Sequence, residues 1–118
     1  MLKAQIRKRL GELSLSIDLS VAKGITVLRG ESGSGKTTIA NLLSGALKPD
    51  EGEIELEGRS VFSTVRGINL APEARGIGFV FQTARLLPHL SVEENIRFPQ
   101  TAGKRRLRVD FAEVVEIL

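Results

Sequence analysis

The sequence predicts an α/β fold with a mixed sheet, in which an antiparallel β subdomain accompanies a core built around a glycine-rich loop. Three observations support this prediction. Residues Gly30 to Thr37 fit the pattern G-x-x-x-x-G-K-[ST] at every required position. A short apolar segment precedes that loop and an amphipathic segment follows it. Alternating apolar and polar residues elsewhere are typical of half-buried strands joined into hairpins.

The first predicted elements form a hairpin. Residues 2–10 are basic and only loosely alternating, which predicts an edge strand. Gly11 and Glu12 form the turn, and residues 13–21 alternate strictly between apolar and polar side chains, as in a strand with one wet face. Residues 25–28 then predict a short buried strand that leads into the glycine-rich loop.

The loop has the composition of a nucleotide phosphate site. Its glycines permit backbone turns that a Cβ would obstruct, so that successive N–H groups converge on phosphate oxygens. The start of the following helix adds unsatisfied N–H groups and a positive dipole end. Lys36 is expected to reach the β- and γ-phosphates and Thr37 to bind Mg²⁺. The full set of predicted contacts is Gly30, Glu31, Ser32, Gly33, Ser34, Gly35, Lys36, Thr37 and Thr38. The alternative is a Gly/Ser-rich turn that happens to precede a helix, but the complete pattern and its flanks favour the phosphate site.

The middle of the chain predicts one helix and a second hairpin. The helix spans 37–47, and its apolar positions recur at helical spacing until a segment dense in turn residues ends it at 47–52. Alternation around Ile54 and Leu56, a turn at Gly58-Arg59 and an apolar segment at 60–62 predict the hairpin.

The last third predicts a strand and two helices. Residues 77–81 form a continuous apolar run, which Gln82 closes. Ser91 and Glu94 have the spacing of a capping box, so a short helix is expected to start there. Residues 103–108 form a polar break, and Asp110 is expected to cap a final amphipathic helix.

Composition excludes several classes of protein. A chain of 118 residues has room for one small domain, and the lack of Cys excludes disulfides and thiolate metal sites. No apolar run approaches the roughly 18 residues that a membrane-spanning helix needs, and the first residues lack the apolar region of a secretory signal. We therefore expect a cytosolic protein.

The net charge is +3, and one basic cluster lies at 104–108. The cluster lacks interleaved aromatics, so it is interpreted as a solvated linker or helix face rather than a site for RNA, DNA or anionic lipid.

At this point the chain resembles the ATP-binding subunits of ABC transporters over essentially its whole length. The resemblance rests on the loop with its preceding hairpin, on 42–54, on 72–82 with its Val80-Phe81-Gln82 ending, and on 86–96. The spacing is most similar to that of molybdate-importer ATPases, although importers for other oxyanions, sugars and polyamines share much of it. The resemblance divides the chain into β subdomain and sheet strands (1–28 and 53–62), a phosphate loop and helix (30–47), and a Q-loop with its following segment (77–97).

The resemblance also implies roles and partners. Gln82 would be the Q-loop residue, which binds Mg²⁺ through its carbonyl oxygen and orients a water through its amide nitrogen. Thr83–Val92 would dock on membrane-spanning transporter subunits, and His89, the only histidine, would be a surface or packing residue within that segment. The ligands implied are ATP and Mg²⁺, and no nucleic acid is expected. The intact family forms a homodimer on the inner face of the cell membrane.

Several features of the family pattern are missing from this sequence. No aromatic residue precedes Phe62, so Leu10 or Leu13 would offer adenine only apolar contact. The L-S-G-G-Q signature, the Walker B strand with its Mg²⁺-directed Asp, the catalytic Glu and the switch His do not occur, and the similar run 43–46 falls within the loop's helix. We therefore expect a truncated, N-terminal part of such a subunit, which binds ATP at best with negligible turnover. Without the Walker B strand, the segments 25–28 and 77–81 would present an unpaired edge or apolar face.

Three functions follow as hypotheses. The first is an ATP-binding and hydrolysing component of an importer, represented here by an incomplete chain. The second is a nucleotide-binding fragment without catalysis. The third is a small kinase-like phosphotransferase, which would need an Arg-rich lid and an acceptor site; the run at 104–106 is a poor candidate for such a lid.

Overall fold

The structure, a computed structural model, describes the backbone of residues 1–81 and 85–102 and the side chains up to residue 98 within those ranges. The chain divides into two compact units, Met1–Phe79 and Val80–Leu118.

The first unit is built on a five-stranded antiparallel sheet. Its strands are β1 (Leu2–Leu10), β2 (Leu13–Val21), β3 (Glu51–Leu56), β4 (Arg59–Ser63) and β5 (Ile68–Asn69), and their spatial order is β2-β1-β3-β4-β5. Both predicted hairpins are confirmed: β1 pairs with β2 in unbroken register from Leu2 opposite Val21 to Leu10 opposite Leu13, and β3 pairs with β4. The antiparallel subdomain predicted from the sequence is therefore present in the structure.

The prediction that residues 2–10 form an edge strand is wrong. β1 lies inside the sheet, between β2 and β3, and β2 is the edge strand. The reason is charge compensation across the strand pair. Lys3 lies opposite Glu55, and the Arg7 guanidinium bonds the Glu51 carboxylate at 2.9 Å. Acidic residues of β3 thus offset the basic side chains that suggested an exposed edge.

A single apolar layer lies between the sheet and helix α1 (Lys36–Ser44). Alternate residues of β1 and β3 face this layer, the adjacent Val61 and Phe62 join it from β4, and Leu42 reaches it from the helix with its side chain fully buried. A short helix, α2 (Pro72–Arg75), follows β5 and begins at Pro72, whose fixed φ suits a helix start. The buried apolar residues of the core are Ala4, Ile6, Leu42, Ile54, Val61 and Phe62.

Asp50 ties the segment after α1 to the first hairpin. Its carboxylate accepts a hydrogen bond of 2.8 Å from the Arg9 backbone N–H and one of 3.0 Å from the Lys8 ammonium. These two donors, the backbone N–H first, hold the pKa of Asp50 below its ordinary value of 3.8.

This depressed pKa predicts a pH-dependent effect of Asp50→Asn. Because the folded pKa lies below the unfolded one, the stabilising contribution is complete above pH 3.8 and is lost as the pH falls through the lower folded value. The variant should therefore be less stable than the parent chain near neutral pH and equally stable at a pH well below 3.8. Urea unfolding midpoints at the two pH values measure this. An equal difference at both would contradict the assignment.

The predicted strands at 25–28 and 77–81 are not formed. Neither segment belongs to the sheet, so the parallel component expected of a mixed sheet is not found among the described residues. Ile25 is 97% exposed, Val27 70% and Val80 96%. Apolar segments of this kind become strands only when a neighbouring strand completes their hydrogen bonds. The prediction that these two segments would expose apolar side chains is confirmed.

The described part of the second unit contains helix α3 (Val92–Ala102), which starts where the sequence predicted. The Glu94 backbone N–H donates to Ser91 Oγ at 3.2 Å, and the Ser91 N–H donates to the Glu94 carboxylate at 2.6 Å, which completes the capping box. The same N–H lowers the pKa of Glu94. The predicted break at 103–108 and the helix from Asp110 lie outside the described residues.

Candidate functional site

The glycine-rich loop between β2 and α1 has a backbone that only glycine adopts readily. Gly33 has φ +80° and Gly35 has φ +100°, both in the left-handed region. A Cβ at Gly30 would lie 2.6 Å from Ser34 Oγ. The Ser34 N–H donates to the Glu31 carbonyl at 3.1 Å, which closes a tight turn within the loop. Gly33 and Gly35 are therefore required by their left-handed backbone, whereas a Cβ at Gly30 would displace only the rotatable Ser34 hydroxyl.

Lys36 folds back over this loop. Its ammonium donates to the carbonyl oxygens of Gly30 and Glu31, each at 2.6 Å, and lies 3.3 Å from Ser34 Oγ. The side chain thus brings a positive charge to the loop that precedes its own helix. An anion bound at the loop would lie next to this charge.

The start of α1 is suited to binding an anion. Gly35 is its N-cap residue and supplies no side-chain cap, and the first turn contains no acidic residue. Ile39 N donates to the Gly35 carbonyl at 2.9 Å, so the N–H groups before Ile39 precede the helical ladder. The Thr37 side chain is exposed at this helix start. Loop glycines, Lys36 and the first N–H groups of α1 therefore lie together, and their binding of phosphate stays a prediction.

The β1–β2 hairpin adjoins the loop through Leu15. A Cβ at Gly35 would lie 3.1 Å from Leu15 Cδ2, so the leucine packs against the loop backbone. Leu10 and Leu13, at the turn of the hairpin, are 37% and 46% exposed. Their apolar contact with a nucleotide base remains a prediction.

The other end of α1 is held by Arg75, which sequence reasoning missed. This guanidinium is only 5% exposed, and its burial lowers the pKa of Arg75. Its Nη1 donates to the carbonyls of Leu42 and Leu43 at 3.2 and 3.0 Å, which satisfies carbonyls of the last helical turn. Its remaining nitrogens donate to the Leu70 carbonyl at 2.9 Å and to Asn69 Oδ1 at 3.1 Å. Arg75 therefore fixes the phosphate-loop helix to the segment after β5.

The run at 43–46 crosses the end of this helix, which stops at Ser44 and not at the predicted residue 47. Gly45 is the C-cap residue with φ +90°, and Ser44 Oγ donates to the Asn41 carbonyl at 3.2 Å. The serine and glycine that resemble the L-S-G-G-Q signature here form the last residue and the C-cap of α1.

Gln82, the predicted Q-loop residue, lies outside the described residues together with residues 83 and 84, so its role stays a prediction. In the rest of the predicted docking segment, Leu86 is 70% and Val92 77% exposed, and His89 is exposed, as a surface histidine should be. The Arg85 guanidinium lies 4.6 Å from the centre of the Phe81 ring.

Asn95 organises that segment from within α3, and sequence reasoning missed it as well. Its Oδ1 accepts from the Leu87 N–H at 2.8 Å, and its Nδ2 donates to the carbonyls of Leu87 and Leu90 at 3.2 Å each and of Ser91 at 2.9 Å. One amide thus fixes residues 87–91 as a turn ahead of the helix.

Comparison with known proteins decides the family. The profile of the ABC transporter family matches residues 13–117, nearly the whole chain. This chain belongs to the ABC transporter family. Among its relatives, it is 46% identical to the molybdenum import ATP-binding protein ModC of Paramagnetospirillum magneticum and covers 33% of that protein. It is 51% identical to ModC of Vibrio cholerae over 97% of this chain and 31% of the relative. The chain thus spans about a third of the length of these curated relatives.

Solved ABC transporter structures resemble the fold. The dimeric structure of MJ0796, a bacterial ABC transporter cassette, aligns with a TM-score of 0.68 and 30% identity, covering 96% of this chain and 52% of that one. The same cassette in a post-hydrolysis state bound to ADP and Pi aligns equally well. The predicted fold class, a truncated P-loop core with an antiparallel β subdomain, is confirmed. In the described residues of this ABC transporter chain, no helix is both long and apolar enough to cross a membrane.

Proposed function

We propose that this chain binds the phosphates of ATP as part of the ATP-binding subunit of an ABC importer for molybdate or a similar oxyanion. The observation that carries the proposal is the loop geometry. The loop contains two glycines with a left-handed backbone, and the helix after it starts without a side-chain cap. The Lys36 ammonium lies 2.6 Å from each of two carbonyl oxygens of the same loop. The similarity to ModC proteins supports the class of transported substrate.

The residues fit a polyphosphate chemically. Backbone N–H groups of the loop and of the first helical turn would donate to phosphate oxygens, with the helix dipole favouring the negative charge. Lys36 would exchange its two carbonyl acceptors for charged phosphate oxygens, which form stronger, charge-assisted hydrogen bonds. Leu10 and Leu13 would give the base apolar contact.

A magnesium ion would rely on the nucleotide for most of its ligands. The described residues contain no group of three or more His, Cys, Asp or Glu side chains that could hold a metal. Thr37, exposed at the helix start, would supply a hydroxyl oxygen, and Gln82 a carbonyl oxygen. The ion would neutralise phosphate charge when bound.

Transport coupling is a property proposed for the whole subunit. Residues 83–92 would contact the membrane-spanning subunits, and the subunit would work as a homodimer at the inner face of the cell membrane. This sequence lacks a signature motif and a Walker B strand, whose residues position water and metal for hydrolysis. We therefore propose that this chain alone binds ATP without appreciable turnover.

Lys36→Ala is the variant that tests the proposal. Removing the ammonium deletes charge-assisted hydrogen bonds worth roughly 1.5–3 kcal/mol each, so the affinity for ATP with Mg²⁺ should fall by roughly 100-fold. Titration calorimetry measures the affinity. Lys48→Ala is the matched control: it removes the same charge from an exposed lysine beyond the end of α1 and should leave binding unchanged.

Phosphate release, followed in the same samples, separates binding from hydrolysis. Saturable binding that depends on Lys36 but not on Lys48, without phosphate release, is the expected result. Equal binding by the Lys36→Ala variant and the parent chain would overturn the proposed role of the loop.

A further inference from the structure

The outer edge of β2 is a long, regular strand edge. β2 has nine residues and pairs with β1 without a register shift, and no other described strand pairs with it. Sheet edges usually carry charged side chains, proline or bulges that block pairing with another chain. β2 contains no lysine, arginine or proline and one charge, Asp18. This edge is open to another strand.

The apolar row on β2 is only partly covered. In β1, Ala4 and Ile6 are 1% and 2% exposed. Their neighbours across the pair, Leu19 and Ile17, are only half-buried, and Leu13 at the strand start is 46% exposed. The apolar layer of the sheet thus continues past β1 without being fully covered at β2. An additional strand alongside β2 would extend that layer.

The sequence of β2 is self-complementary in the antiparallel sense. When two copies of Leu13–Val21 pair about Ile17, the apolar positions face one another: Leu13 meets Val21 and Leu15 meets Leu19. On the opposite face, Ser14 meets Ser20, and Ser16 meets Asp18, so that no two carboxylates lie directly opposite. This register uses all nine residues of both strands.

We propose that two copies of this chain associate edge to edge through β2, which joins their sheets into one continuous antiparallel sheet. The pairing is symmetric and closes as a dimer, because the opposite edge strand, β5, has only two residues and offers little to a third copy. The backbone edge of β2 includes no residue of the phosphate loop, so association does not require nucleotide, although Leu13 belongs both to the paired row and to the proposed base contact. The inference therefore stands apart from the proposed function.

Charge substitutions on the exposed face of β2 test the pairing. In S14E/S20E, each glutamate lies opposite a basic residue of its own hairpin, Arg9 or Lys3, which favours the folded chain. Across the proposed interface, however, the carboxylate introduced by S14E meets the one introduced by S20E in the second copy, and this happens twice in the symmetric pair. The dimer dissociation constant should rise by roughly tenfold or more. S14E/S20K is the matched control, because it places opposite charges across the same interface and should keep the dimer; its introduced lysine lies opposite Lys3, so its folding is checked separately.

Sedimentation velocity over a wide concentration range, without nucleotide, measures association, and circular dichroism confirms folding. A parent dimer weakened by S14E/S20E and retained by S14E/S20K is expected. A parent chain that stays monomeric would overturn the proposal. So would a dimer that S14E/S20E leaves intact, or one that forms only with ATP and is lost in Lys36→Ala.

Discussion

Replacing Gly52 by alanine is expected to destabilise the chain by about 4 kcal/mol or more, in the range seen only for severe core disruptions. Gly52 lies in β3 opposite Ile6, with φ +115°. An added Cβ would lie 2.0 Å from the Gln5 carbonyl oxygen and 2.7 Å from Ile6 Cα. Both are backbone atoms of β1, so relief requires breaking the β1–β3 pairing. Because small domains are typically stable by roughly 5–15 kcal/mol, the variant should retain only a small margin of stability if the parent chain lies at the low end of that range.

Gly58→Ala is the matched control for this experiment. Gly58 also has a left-handed backbone, with φ +77°, but a Cβ there would meet no atom within 4 Å. Its substitution should therefore cost only the left-handed conformation itself, about 1–2 kcal/mol. Urea unfolding followed by circular dichroism compares the two. Similar losses for both variants would show that the β1–β3 approach is less close than described.

Replacing Arg75 by alanine is the second substitution with a large expected effect. It removes a buried guanidinium and leaves the Leu42 and Leu43 carbonyls at the end of α1 without that donor. Breaking a buried charged hydrogen-bond set of this kind costs about 3–5 kcal/mol. Arg75→Lys should recover only part of the loss, because one ammonium lacks the planar fork that reaches four acceptors.

Arg59→Ala provides the comparison for Arg75. Arg59 is exposed and makes one long hydrogen bond, 3.5 Å, to the Ala74 carbonyl. Its removal should change the free energy of unfolding by about 0.5 kcal/mol or less. If both arginine variants unfold at the same urea concentration, Arg75 does not hold the helix in place.

The hairpins and the phosphate loop could be predicted because their signals are local. Alternation along 13–21 and glycines at fixed spacing depend on neighbouring residues alone, and both match the structure. The capping box at Ser91 is local for the same reason. The strands expected at 25–28 and 77–81 failed because an apolar run shows only that a segment can be buried. Whether it becomes a strand depends on a partner strand elsewhere in the protein.

The other errors concern contacts between residues distant in sequence. The basic side chains of β1, considered alone, predict an edge strand. The acidic residues of β3 that lie opposite them are distant in sequence, and only the fold brings the two together. Arg75 and Asn95 carry no motif, and their importance comes from backbone carbonyls that only the fold brings within reach. A sequence signal for Arg75 existed only in part, as a lone arginine between Pro72 and Gly76.

The location of bound nucleotide tests the central claim most directly. Backbone amide NMR shifts of the intact chain, recorded while ATP and Mg²⁺ are added, report binding residue by residue. We expect the largest shifts at Gly33, Gly35 and Lys36 through Thr38, with little change in the loop signals when adenosine replaces ATP. Saturable shifts confined to other parts of the chain, or none at the loop, would contradict a phosphate site there.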